Sequence, residues 1–177
     1  MNQQTNFTGR LLLATPNMGD PRFAYSVIYV CSHDDTGAMG IVINKPKGGL
    51  QISDLLDQIG IEGDVRVADS AVLNGGPVDI NRGFVLHSAD YFKEESSLKL
   101  SDTLNLTSTK DILEALVTDK APEKAMLAVG YAGWSSGQLE SEIMQNAWLV
   151  SEVDEDLIFE GNFDGESGVM GVEKVLK

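Results

Sequence analysis

The stretch Ala125–Ile143, "AMLAVGYAGWSSGQLESEI", joins a short apolar run to a mixed polar and apolar run. The apolar part predicts a buried strand, and the part from about Ser136 predicts a helix. Between them, residues 133–137 read G-x-S-x-G, the pattern of the nucleophile elbow in serine hydrolases, where the serine lies on a tight strand-to-helix turn. The alternative is a structural turn, in which the two glycines permit the bend and Ser135 or Ser136 caps the helix.

The hydrolase alternative requires a histidine base. In the hydrolases that use this elbow, the triad runs serine, acid, histidine along the chain. The sequence has two histidines, His33 and His87, and both precede Ser135. A different chain order can assemble the same geometry, as convergent triads do. The pattern alone is weak, so we expect no catalytic residue here and favour the structural turn.

Outward from this stretch, short apolar runs alternate with turns and two helical patterns. Residues 50–60 carry a full apolar stripe that ends at Gly60, and residues 108–120 carry a second stripe with Ser108 and Asp111 at capping-box spacing. Strands are predicted at 10–14, 26–32, 38–44, 70–78, 82–88, 97–106, 125–132 and 147–151. No linker divides the series, so we predict one α+β (mixed α/β) domain.

Composition and charge exclude several classes of function. The chain has 177 residues, with 13 basic and 27 acidic side chains and a formal charge of −14. No segment clusters lysine or arginine, whereas nucleic-acid binding depends on neutralising phosphates, so we expect neither nucleic acid nor an anionic membrane as a partner. The first apolar run, Leu11–Ala14, is too short for a signal peptide or a membrane span, which predicts a cytoplasmic protein.

The cysteine and the histidines suggest two further sites that the pattern supports only weakly. Cys31, the single cysteine, is expected to be a buried apolar residue. Cys31 and His33 are two residues apart on one predicted strand, so their side chains would share a face and could form a thiol–imidazole pair. His33 and His87 each end an apolar strand near aspartates, which would suit a metal, but two histidines without a cysteine make a poor zinc set. We therefore predict neither a metal nor a cofactor.

Polar residues and glycines at strand ends predict a ligand pocket. Successive glycines after a strand can turn backbone N–H groups into an anion-binding nest, and a nearby arginine would reinforce it. The similar ends "GIVINKP" and "AVLNGGP" we interpret as reused strand-end chemistry. If these ends converge, the pocket would take an anionic group; otherwise each residue completes its own turn. The predicted pocket residues are Asn44, Gly75, Gly76, Arg82, His87 and Trp134.

Four blocks together resemble the YqgE/AlgH family of small bacterial proteins. They are residues 9–46, residues 73–87, residues 108–116 and residues 130–149, and the resemblance extends from about Gly9 to Phe159. It implies a bifurcated, partly barrel-like mixed sheet surrounded by helices. It also implies that the positions of the two turn serines vary, while others recur: Gly130, Tyr131, Trp134, Gly137, Gln138, Leu139 and Glu142.

The resemblance brings no established reaction, although some members carry a transcriptional-regulator label. This chain departs from the family pattern at its end, where residues 161–177 are glycine-rich and lack the usual tryptophan. We expect a protein that binds a small ligand or a protein partner without catalysis. The alternatives are a transcriptional regulator and a hydrolase that uses Ser135.

Overall fold

A computed structural model describes residues 6–152 and 158–159, so the tail at 161–177 lies outside the described residues. Sheet dominates the described part of the chain. Its ten strands are β1 (Leu11–Ala14), β2 (Val27–Asp34), β3 (Gly37–Val42), β4 (Pro46–Gln51), β5 (Ala71–Asn74), β6 (Val78–Ser88), β7 (Ser97–Lys99), β8 (Leu104–Thr107), β9 (Ala125–Ser135) and β10 (Trp148–Ser151). The helices are α1 (Ile52–Gln58), α2 (Lys110–Ala115) and α3 (Gln138–Met144), and a 3₁₀ turn covers Pro21–Phe23.

Strand β9, the apolar run of the opening stretch, joins the two parts of a mixed sheet. The main path runs β10-β1-β2-β3-β9-β6-β8-β7, and β4 and β5 branch from it. Ala128 of β9 pairs with Phe84 of β6 in antiparallel fashion and with Leu73 of β5 in parallel fashion, and the residues from Ala132 onward pair with β3. The sheet therefore forks along β9, as the predicted bifurcation requires.

The sheet is curled into a half barrel, with few helices packed on it. The described helices are six or seven residues long. The expected mixed sheet is therefore confirmed, whereas the expectation that helices surround it is only weakly supported. None of these helices is long and apolar enough to span a membrane.

The chain crosses over β9 between β5 and β6, and this crossing depends on glycine. Gly76 has φ +152°, and a Cβ there would lie 2.1 Å from the carbonyl carbon of Tyr131. Gly130 has φ +76°, and its Cβ would lie 2.3 Å from the Gly76 oxygen. No side chain fits between two backbones this close. The recurring Gly130 of the family pattern thus has a direct packing reason.

Most predicted elements are present, with different bounds. Strand β4 lies outside the predicted strands, since the strand predicted at 38–44 ends before Pro46; proline is tolerated as a first strand residue. Helix α1 is confirmed, although Ile59 follows the helix and is 43% exposed. The predicted capping box of α2 is wrong. Its N-cap is Thr109, and the Ser108 hydroxyl accepts a hydrogen bond from Arg82 instead.

A β-bulge separates Cys31 from His33. Val30 pairs with Gly40 and Ser32 pairs with Met39, so Cys31 is the extra residue in β2. The Cys31 side chain is buried in the core with Tyr29, as expected, and burial raises the pKa of its thiol to about 12. His33 stacks on Phe7, which packs against a different core cluster. The thiol and the imidazole thus lie in different surroundings, and the pair that the sequence supports only weakly is not formed.

Candidate functional site

The G-x-S-x-G segment is a structural turn whose first serine belongs to the strand. Ser135 is the last residue of β9 and pairs with Gly37 of β3. Gly137 adopts φ +75° and is the N-cap of α3, so the expectation that a serine caps this helix is wrong. The Ser135 backbone N–H donates to Gln138 Oε1 at 2.9 Å, and the Ser136 hydroxyl donates to the Asp35 carbonyl oxygen at 2.6 Å.

A cluster of four side chains, which we call the Glu142 cluster, holds α3 against β9 and β10. Glu142 Oε1 accepts the indole N–H groups of Trp134 at 3.0 Å and Trp148 at 2.9 Å. Glu142 Oε2 accepts an N–H from the Gln138 amide at 2.9 Å. The two indole rings meet edge to face at 6.1 Å. Charged hydrogen bonds to the indoles of two buried tryptophans fix the carboxylate, so these four residues act as one structural unit.

Neither histidine is placed to act as a base for Ser135. His33 Nδ1 accepts the Phe7 backbone N–H at 3.0 Å, and Nε2 lies at ion-pair distance, 3.2 Å, from Glu140 Oε2. Because Nδ1 accepts a hydrogen bond, the proton of the neutral ring lies on Nε2, facing that carboxylate. The Ser135 hydroxyl has Gln138 Oε1 as its described partner, at 3.3 Å.

His87 lies in a separate polar cluster in the interior. Its Nδ1 donates to the Ser88 carbonyl at 2.9 Å, so its Nε2 accepts from the Thr107 hydroxyl at 2.7 Å. The ring is fully buried, and burial lowers its pKa more than the nearby Asp90 raises it. Among the described residues, no three side chains of metal-binding type come together.

The six predicted pocket residues do not converge. His87 pairs with Ala125, nine residues before Trp134 on β9, which is roughly 30 Å of extended strand. Arg82 is exposed, donates to Ser108 at 3.0 Å and lies over the Phe84 ring. The expectation of one shared pocket is therefore wrong with respect to Arg82 and His87.

Asn44 and Gly75 are occupied by structural hydrogen bonds. The buried Asn44 amide accepts the Val27 N–H at 2.9 Å and donates to the Tyr25 carbonyl at 2.8 Å. It thereby holds Tyr25 at φ +61°, a strained value for a residue with a side chain. The Gly75 N–H donates to the Val129 carbonyl at 2.8 Å, so it is not available for an anion nest.

Two adjacent cavities contain Gly76 and Trp134, the remaining predicted residues. The Trp134 cavity, about 370 Å³, lies between the β1–β2 loop, the end of β9 and α3. The Lys45 cavity, about 300 Å³, lies between the same loop, Lys45 and the crossing at Gly76. Arg22, Phe23 and Pro77 line both. The two cavities thus share part of their lining and together form the candidate site.

Lys45 is the functional candidate that the sequence interpretation missed. Its Nζ donates to the Arg22 backbone carbonyl at 3.2 Å, and in the described part of the chain no carboxylate forms an ion pair with it. Burial lowers the pKa of this amine. One feature of the sequence could have pointed to Lys45, namely the similarity of "GIVINKP" and "AVLNGGP". The two segments lie side by side in the structure, because Pro46 pairs with Leu73 and the Asn74 N–H donates to the Lys45 carbonyl.

The fold defines a protein of the AlgH type. The family model described as AlgH-like matches residues 11–166, and the chain belongs to this family. A UPF0301 protein of Bradyrhizobium diazoefficiens is 49% identical over 167 residues, which cover 90% of this chain and 78% of that relative. A UPF0301 protein of Ruegeria pomeroyi is 46% identical over 176 residues, which cover 97% of this chain and 95% of that relative.

Solved structures show the same fold. The solution structure of the AlgH protein from Pseudomonas aeruginosa superposes with a TM-score of 0.78 at 36% identity, covering 98% of this chain and 92% of that one. A crystal structure of a Corynebacterium diphtheriae protein has a TM-score of 0.68 at 21% identity, covering 98% and 88%, and shows a likeness of fold alone.

Proposed function

We propose that the chain is a binding protein whose ligand is a small organic anion. The negative group lies at Lys45, and the apolar part of the ligand lies against Phe23, Pro77 and Ile80. The observation that carries this proposal is Lys45, a half-buried residue that lines a cavity and whose amine has a neutral carbonyl as its described partner. A cation that lines a cavity attracts negative groups, and an anionic ligand would give Lys45 a charged partner.

The walls of the Lys45 cavity support a ligand with an apolar part. Phe23, Val42, Pro77 and Ile80 line it, and Ile80 is 56% exposed although it is a large apolar residue. Small-molecule sites are concave and mostly apolar, with a few polar groups that fix orientation. In a chain of charge −14, a local cation at such a site selects for negative ligands.

Two residues with strained backbone lie close in the chain to residues that line the same cavity. Tyr25 at φ +61° precedes the strand that Asn44 anchors, and Asp79 at φ +49° adjoins Ile80. Residues with side chains adopt such values at a cost of about 1–3 kcal/mol, and they are concentrated at binding and catalytic sites. This supports the cavity as a binding site and places no reaction there.

The test uses the two tryptophans of the chain, Trp134 and Trp148, which contact each other beside the cavities. Purified protein is titrated with inorganic phosphate and, separately, with lactate, while tryptophan fluorescence is recorded. We expect a saturable change with at least one of these anions and at least a tenfold weaker apparent affinity in Lys45→Met. The matched control is Lys47→Met, an exposed lysine two residues away. Equal affinities in the two variants, or no saturable change with either anion, would contradict the proposal.

A further inference from the structure

The ring of His33 lies between the N-terminal segment and helix α3. His33 is near the end of β2, and its side chain is 1% exposed. On one side, Nδ1 accepts the Phe7 backbone N–H at 3.0 Å, and the two rings stack with centroids 5.3 Å apart. On the other side, Nε2 lies 3.2 Å from Glu140 Oε2. One buried imidazole therefore connects two elements that are far apart in the sequence.

The segment that the ring holds, residues 6–9, leads into β1. At its end, the Gly9 N–H donates to the Val30 carbonyl at 2.8 Å, and Gly9 adopts φ +82°, a left-handed value that suits glycine. Before Gly9, the described hydrogen bond from this segment to the sheet is the one from Phe7 to His33. Gly9 can therefore stay fixed while the residues before it come away.

Protonation of His33 removes the acceptor that holds Phe7. A neutral imidazole has one N–H group and one nitrogen lone pair, and in His33 the lone pair is on Nδ1, since that atom accepts. The imidazolium form carries an N–H group on both nitrogens, so neither nitrogen accepts a hydrogen bond. Rotation of the ring does not restore the bond, because either nitrogen then presents an N–H group to the Phe7 N–H. The charged ring and the Phe7 bond are therefore incompatible.

Two carboxylates face the ring and can balance its charge. Glu140 lies beside Nε2, which is buried and makes no described hydrogen bond. The pKa of Asp34 is lowered chiefly by hydrogen bonds from Thr36 and to a smaller extent by the His33 ring. From β3, Ala38 pairs with His33 and brings no charge, and residues 6–9 have no titratable side chain. Protonation thus exchanges the Phe7 bond for a charge-assisted contact with Glu140.

We propose that His33 is a pH-sensitive latch for residues 6–8, closed while the ring is neutral and open once it is protonated. The segment then rotates about Gly9, and Phe7 leaves the apolar cluster that includes Leu139 of α3. Opening uncovers part of this cluster, so that acidity is converted into a change of surface. The latch is independent of the proposed anion site.

The test is an NMR titration of the isotope-labelled full chain between about pH 8 and about pH 4.5. The ring protons report the protonation of His33, and amide hydrogen exchange, corrected for its intrinsic pH dependence, reports the Phe7 bond. We expect the protection of Phe7 to fall at least about tenfold, with the midpoint of the His33 titration. Val42, whose N–H donates to the Gly75 carbonyl, should stay protected. A ring that titrates while Phe7 stays protected, or a ring that stays neutral over the whole range, would overturn the latch. Loss of Val42 protection together with that of Phe7 would indicate global unfolding and would overturn it too.

His33→Asn separates the acceptor from the titrating ring. The asparagine side-chain oxygen can take the position of Nδ1, but it does not titrate, so the protection of Phe7 should not depend on pH. A thermal melt checks that the variant is folded. Glu140→Gln removes the facing charge and should move the release of Phe7 to lower pH by about one unit or more. The matched control is His87→Phe, which removes the other histidine of the chain and should leave the release unchanged. Release of Phe7 at the native pH in His33→Asn would show that another group titrates and that the latch is wrong.

Discussion

The Glu142 cluster and the Lys45 cavity lie on either side of Phe23 and Arg22, yet their polar groups differ in how they are satisfied. In the Glu142 cluster, one carboxylate accepts two indole N–H groups and an amide N–H within 3.0 Å. At the cavity, the Lys45 amine has one described partner, a carbonyl at 3.2 Å. A closed network of this kind stabilises the fold, whereas a half-buried lysine at a cavity, without a described carboxylate partner, favours binding. The comparison teaches that the number of partners a charged group has, and not its charge alone, separates these two roles.

Both regions depend on the crossing of Gly76 over β9, and its disruption is the largest effect we expect. Gly76→Ala places a Cβ 2.1 Å from the Tyr131 carbonyl carbon at a φ of +152°. We expect a loss of roughly 4 kcal/mol or more in the free energy of unfolding, since two backbones must separate. Denaturant unfolding or soluble yield measures this.

The control for the crossing is Gly19→Ala. No atom lies within 4 Å of a Cβ built at Gly19, and its φ is not in the left-handed region. Gly19→Ala should therefore leave unfolding nearly unchanged. Similar unfolding free energies for the two variants would show that the crossing is not tight, and both regions would then need another anchor.

Removal of the carboxylate of the Glu142 cluster should give the next largest effect. Glu142→Ala leaves the buried indole N–H groups of Trp134 and Trp148 without their described acceptor, which should cost roughly 2–3 kcal/mol in unfolding free energy. Glu142→Gln keeps an oxygen for them and should cost less than half as much. If the two variants are equally destabilised, the hydrogen bonds to the indoles do not account for the loss.

Much of the architecture followed from local patterns, because apolar runs and turn residues act locally. The runs at 26–32 and 38–44 predicted the adjacent strands β2 and β3, and the stripe from Ile52 predicted α1. Two features of the sheet could not be predicted from local patterns. The bulge at Cys31 depends on how β2 pairs with β3, and strand β4 depends on pairing with β5, so neither is encoded in a single segment.

The candidate site was predictable only in part, for a related reason. Gly76 and Trp134 stood out because glycine turns and aromatic residues are conspicuous in sequence, and both line the cavities. His87 stood out as a polar residue at a strand end and Arg82 as a cation near the glycine turn, but the structure places both away from these cavities. Lys45 was missed because a lysine before a proline looks like a solvated strand end. Its importance depends on which carboxylates are absent around it, and only tertiary structure gives that.

A third polar cluster, around His87, extends the comparison to pH. The folded state lowers the pKa of His87 below its ordinary value of 6.5, mainly because the ring is buried. The unfolded chain therefore binds a proton first as the pH falls, and stability is lost from about pH 6.5 downward until the folded-state pKa is reached. The slope should be at most about 1.4 kcal/mol per pH unit from this one group.

Denaturant unfolding at several pH values between 7.5 and 5 measures this dependence. His87→Phe removes the titrating ring, so its unfolding free energy should vary less with pH, even though the variant is less stable overall. His33→Phe is the comparison, because His33 is the other histidine of the chain and faces Glu140. If His33→Phe flattens the dependence and His87→Phe does not, the assignment to His87 is wrong.

At the Lys45 cavity, loss of the lysine amine should barely affect the free energy of unfolding. Lys45→Met removes one hydrogen bond at 3.2 Å. It also removes the cost of partly burying the charged amine, and this burial is what lowers the pKa of Lys45. We expect a change within about 0.5 kcal/mol, in contrast to Glu142→Ala. A loss above about 2 kcal/mol in Lys45→Met would make this lysine a structural residue and remove the distinction between the two regions.

The smallest effect should come from the serine of the G-x-S-x-G segment. Ser135→Ala removes a hydroxyl that is exposed and lies 3.3 Å from Gln138 Oε1, while the backbone N–H of the same residue still donates to that oxygen at 2.9 Å. The unfolding free energy should change by less than about 0.5 kcal/mol, and lactate or phosphate should bind as before. Gln138→Ala is the contrasting variant, because it removes both that acceptor and the amide that donates to Glu142, and it should cost about 1–2 kcal/mol. If Ser135→Ala instead abolishes anion binding at unchanged stability, the serine acts on a ligand and the turn is more than a structural junction.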